Sequence, residues 1–125
     1  MGLRTARLLL VFAAIVLAVG GIMHARAFDG TVAAIAKSNL PPFYGNSLKA
    51  LWLTDSATLL ILSVLYAVVA ARPTAAGKIV VMLTALIPAA TAVLLYIFLG
   101  GFLAGHLLLS ASALVGAAVI GLPQR

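Results

Sequence analysis

The chain has 125 residues, of which 65% are apolar and 8% charged, with eight Lys and Arg against two Asp and a net charge of +6. A soluble domain is roughly half apolar and about a quarter charged, so this composition excludes one and points to a chain that faces lipid or other helices almost throughout. The basic residues are spread along the chain rather than clustered, which argues against a nucleic-acid partner, and the absence of Cys removes thiolate metal sites and disulfide exchange.

Met1 to Arg7 is a short basic start, followed by an uncharged run from Leu8 to Met23. This predicts a first span over about 8–24 that needs its flanks to cross a hydrocarbon core of about 30 Å. The same features, with Ala25-Arg26-Ala27, also fit a secretory leader ending in a small-residue cleavage site. Bulky His24 and charged Arg26 count against cleavage, so the reading favours an uncleaved helix.

Residues 24–47 form the longest connection. Within it Phe28, Val32, Ile35 and Ala36 recur at helical spacing among Asp29, Thr31 and Lys37, the pattern of a short helix lying in a membrane interface on the exterior side. Pro41-Pro42 stops it, Phe43 and Tyr44 suit the headgroup level, and Asn46 or Ser47 can cap the second span, placed at 48–71.

Arg72-Pro73 ends the second span and Lys78 opens the third, 78–99, with Pro88 at its middle, where it removes one backbone donor and crowds the Thr84 carbonyl; Thr84 or Thr91 then serves the freed groups. Gly100-Gly101 is the only break in the uncharged run from Ile79 to Gly121, so a hairpin there leads into a fourth span, 102–122. The expected fold is an all-α integral membrane protein, a single antiparallel four-helix transmembrane bundle with one exterior interfacial helix. Arg4, Arg7, Arg72, Lys78 and Arg125 then outnumber Arg26, Lys37 and Lys49, which puts both termini in the cytoplasm of a bacterial inner membrane.

Candidate site residues follow from depth. Using the helical rise, Asp55 lies about 8 Å, His106 about 9 Å, Tyr96 about 11 Å and His24 about 13 Å to the exterior side of the bilayer centre. With Trp52 beside Asp55, these residues make an outer-leaflet polar cluster, and a carboxyl group inside a span costs about 2.5–3.5 kcal/mol unless it is turned inward and paired. Three roles fit: Asp55 bonded to His106 as a lock between the second and fourth spans, a ligand or proton site, or a metal site of His24, Asp55 and His106. His106, Ser110 and Ala113 share one face of the last span, expected to point inward, and the small pairs Gly101/Gly105, Ser112/Gly116 and Ala85/Ala89 allow close packing or a homodimer.

No motif names a cofactor or a nucleophile–base pair, and the absence of Glu removes carriers and enzymes built on a membrane glutamate. The leading functional expectation is a non-catalytic accessory or assembly subunit of a membrane complex, with the bilayer and a membrane protein as partners. A proton-coupled transporter using Asp55, or a metal- or quinone-dependent redox enzyme, are the alternatives.

Overall fold

The computed structural model describes residues 1–123, and among them the structure is helical with no strands. Five helices follow in order: α1 (Leu3–Arg26), α2 (Phe28–Ala36), α3 (Pro42–Ala71), α4 (Lys78–Leu99) and α5 (Leu103–Gly121). Four stretches are long and apolar enough to cross a membrane: α1 continued through α2 (Leu3–Ala36), α3, α4 and α5. Arg125, counted above with the cytoplasmic charges, lies outside the described residues.

Three boundaries have a local cause. Gly100 at φ 74° occupies the left-handed region open to glycine and turns the chain between α4 and α5. The extended Arg72 ends α3 ahead of the buried Pro73. The start of α3 corrects the sequence reading: the helix opens at Pro42 rather than at 48, and Ser47 does not cap it but donates to the Phe43 carbonyl one turn back, at 2.8 Å. Pro42 is in the first helical turn, where its fixed φ suits a helix and its missing N–H costs nothing. Phe43 and Tyr44 therefore belong to the first turn of α3, where both are exposed.

α1 is the central element, packed against α3 on one side and α5 on the other, while α4 packs on α5. Ser63 of α3 donates to the Ala14 carbonyl of α1 at 2.8 Å. Ala6 near the start of α1 meets Gly121 at the end of α5, where an added Cβ would stand 3.0 Å from the Ala6 side chain. Between α4 and α5, Ser112 reaches the Ala85 carbonyl at 2.6 Å. The carbonyl that loses its donor to Pro88 is that of Thr84, one residue earlier, so this bond ties the two helices rather than replacing the lost one. Thr84 and Thr91 instead donate to the carbonyls of Val81 and Ile87 within α4. α3 and α4 barely touch, and Tyr66, fully buried, spans the distance to place its hydroxyl 3.3 Å from Thr84 Oγ1.

Around the one fully buried ring, Tyr66 of α3, the core is built from small and branched side chains: Ala6, Leu10, Ala13 and Leu17 from α1, Leu62 and Val69 from α3, Val81 and Ala92 from α4, and Ala111 and Val115 from α5. Large apolar side chains such as Phe12, Ile15, Ile61, Leu83 and Phe98 point outward instead. Packing between helices here relies on close approach rather than on hiding hydrophobic bulk, the pattern of helices surrounded by an apolar medium. The face of α5 that carries His106, Ser110 and Ala113 is a second correction: all three are exposed, and Gly105, Leu108, Ala111, Val115 and Ala118 face inward.

Candidate functional site

The polar residues form two separate groups on different helix pairs. The first joins α1 to α3 where α1 ends. Ala27 turns its N–H to the carbonyls of Met23 and Ala25, and the His24 carbonyl receives the indole N–H of Trp52 at 2.7 Å. The last carbonyls of a helix lack partners of their own, so Trp52 supplies one from across the seam. Its ring also lies flat on the His24 imidazole, with centroids 4.1 Å apart and planes at 12°.

His24 Nδ1 is 2.9 Å from the Ser56 hydroxyl, which in turn lies 3.1 Å from the Trp52 carbonyl. A hydroxyl has one proton. With that proton donated to the Trp52 carbonyl, Ser56 accepts from Nδ1–H; with it donated to Nδ1, the imidazole carries its own proton on Nε2. The other nitrogen, Nε2, faces Asp55 Oδ2 at 3.7 Å, with the two side chains 29% and 35% exposed. The first arrangement turns an Nε2 lone pair toward the carboxyl group, and the second turns the Nε2–H toward it. At 3.7 Å the contact is an ion-pair distance rather than a hydrogen bond.

The second group joins α4 to α5. Tyr96 Oη lies 2.7 Å from His106 Nδ1, with the rings 5.3 Å apart and tilted at 50°. Gly105 makes this possible, because a Cβ there would stand 2.9 Å from Tyr96 Cε1. The phenol ring therefore rests directly on the α5 backbone. One turn along, exposed Ser110 donates to the His106 carbonyl at 2.7 Å. The imidazole makes no second hydrogen bond among the described residues.

These groupings revise the expected partners. Asp55 meets His24, not His106, and the lock between the second and fourth spans is replaced by two, α1–α3 and α4–α5. The three-ligand set of His24, Asp55 and His106 is not assembled: among the described residues no three His, Cys, Asp or Glu side chains come together as a metal ion requires. Residue order explains this. α1 runs between α3 and α5, and His24 is turned toward α3, while His106 is on the outward face of α5.

Sequence reasoning passed over Ser56 as a partner of His24, and over Ser63 and Tyr66 as ties between helices. The available signal was spacing: Trp52 and Ser56 are one turn apart on the face of α3 that continues to Leu59 and Ser63, all but Trp52 buried. No protein-family model matches the chain, and no curated protein or solved structure is significantly similar to it.

Proposed function

We propose that the chain is a multi-pass protein of a bacterial inner membrane, an antiparallel four-span bundle with both termini cytoplasmic and α2 lying in the exterior interface. It acts as a non-catalytic accessory or assembly subunit that docks on a membrane partner through its outer half. The observation that carries this reading is the outward face of α5, where His106 and Ser110 are exposed at a depth surrounded by apolar side chains. A polar ring facing lipid is costly, and a partner helix that covers it removes that cost. α2 adds a second uncovered surface, since none of its residues is buried.

A photo-crosslinking residue in place of Ala113, used in native membranes, tests the reading. A defined protein adduct that weakens in a His106→Leu background supports it. Labelling of lipid alone refutes it.

A second reading has its own support. His24 and Asp55, two titratable side chains, face each other at 3.7 Å across the α1–α3 seam, which suits a proton-coupled transporter with Asp55 as the carrier. Proteoliposomes holding a pH-sensitive dye then show proton flux that Asp55→Asn abolishes. Flux no greater than in empty liposomes, or unchanged by the substitution, rules this reading out.

A further inference from the structure

The lipid-facing side of the α1–α3 seam is not flush. It carries a groove of about 410 Å³, walled by Val11, Ile15 and Ala18 of α1 and by Ala67, Ala70 and Ala71 of α3. Its floor is closed where Ser63 donates to the Ala14 carbonyl, so the polar hydrogen at that point is already used. The remaining lining is hydrocarbon, and a polar solute would find nothing to bond.

The groove runs toward the end of the molecule where α1 begins and α3 stops. Arg7 stands one turn before Val11 and Arg4 one turn before that, on the same face of α1 as the groove wall, and Arg72 follows Ala71 directly. All three arginines are exposed, and none has an ion-pair partner among the described residues. The only acids of the chain, Asp29 and Asp55, belong to the opposite end.

We propose that this groove and its arginines form a binding site for an anionic phospholipid, with one acyl chain lying along the α1–α3 seam and the phosphate held by Arg7 and Arg72. Neither half is enough alone. An apolar groove takes any chain, and a basic helix end attracts any anion, but a groove that runs toward a helix end carrying Arg4, Arg7 and Arg72 selects a lipid that carries both. Guanidinium matches phosphate through paired N–H donors, which gives the headgroup a fixed seat rather than a diffuse attraction.

The site rests on the membrane-spanning reading, and the experiment separates the two. The protein is first tested for resistance to alkaline carbonate extraction from membranes. It is then purified in mild detergent and titrated with dioleoyl-phosphatidylglycerol or dioleoyl-phosphatidylcholine, and retained lipid is counted by native mass spectrometry.

Phosphatidylglycerol should be retained in preference to phosphatidylcholine, with about a fivefold loss for Arg7→Gln or Arg72→Gln and no loss for Arg26→Gln at the other end. Ala67→Leu should fill the groove and reduce retention of both lipids. Ala67 is exposed, so the leucine enters the groove and not the core, and circular dichroism confirms unchanged helix content. Equal retention of the two lipids, or phosphatidylglycerol retention that neither Ala67→Leu nor the arginine variants reduce, overturns the site while the membrane reading stands. Release by carbonate overturns both.

Discussion

The Trp52 indole and the His24 imidazole stack with 4.1 Å between centroids, while the same indole donates its N–H to the His24 carbonyl at 2.7 Å. One side chain thus contacts both the ring and the backbone of the residue it faces. It fixes where α1 stops, because the carbonyl it takes is one that a continuing helix would have used.

The two contacts are separable. Trp52→Phe keeps a flat ring but loses the donor, and should lower stability by about 1 kcal/mol, the net worth of a hydrogen bond. Trp52→Ala loses the stacked ring as well and should cost about 3–5 kcal/mol, the range for truncating a large aromatic. Unfolding in mixed micelles, followed by circular dichroism, measures both. A Trp52→Phe variant as stable as the parent would show that the indole N–H contributes nothing.

Tyr66 poses the same question at the sparse α3–α4 seam. Its hydroxyl contact with Thr84 is long at 3.3 Å, whereas its ring is fully buried. Packing should therefore dominate: Tyr66→Phe is expected to cost less than about 1 kcal/mol and Tyr66→Ala about 3–5 kcal/mol, because a large, fully buried ring is removed. Equal losses in the same unfolding measurement would mean that the hydroxyl, not the ring, holds α4 in place.

The four long helices were legible because a span is a matter of hydropathy and length, and Gly100-Gly101 was the only break available in a long uncharged run. The start of α3 was not, because a proline reads equally as a stop for one element and as the first turn of the next. The face of α5 was misread for a deeper reason. In an all-apolar helix the inward side is chosen by side-chain size, and Gly105, Ala111 and Ala118 let α5 approach its neighbours, whereas His106 and Ser110 attract the eye as polar residues that ought to be hidden. Depth placed the site residues at a similar level, but depth carries no information about which helix stands beside which. That order, with α1 between α3 and α5, decides that His24 takes Asp55 and leaves His106 to Tyr96.

Adjacent glycines in α1 should respond with opposite sign. A Cβ on Gly20 meets nothing within 4 Å, while one on Gly21 stands 3.2 Å from Leu59 Cβ and 3.1 Å from Leu60 Cγ. Gly20→Ala should stabilise the helix by up to about 1 kcal/mol through propensity alone. Gly21→Ala gains the same propensity but pushes α1 from α3, and overpacking of this kind costs about 1–3 kcal/mol. A Gly21→Ala protein more stable than Gly20→Ala would show that the α1–α3 seam is looser than these distances imply.

Gly105 connects packing to the proposed docking face. Its missing side chain is what lets Tyr96 lie on α5 and hold His106 Nδ1 at 2.7 Å. Gly105→Ala would place a methyl group 2.9 Å from Tyr96 Cε1, so the ring must shift and the hydrogen bond that orients the imidazole is broken. Gly116→Ala, on the same helix with nothing within 4 Å of its Cβ, serves as the control. If an oriented His106 is what a partner reads, Gly105→Ala should weaken crosslinking from position 113 as His106→Leu does, while Gly116→Ala leaves it at the parental level. Stability alone cannot produce that pattern provided the Gly105→Ala protein retains its helix content and resists carbonate extraction. Crosslinking that survives Gly105→Ala but is lost with His106→Leu would mean that the partner needs the imidazole itself and not the orientation Tyr96 gives it.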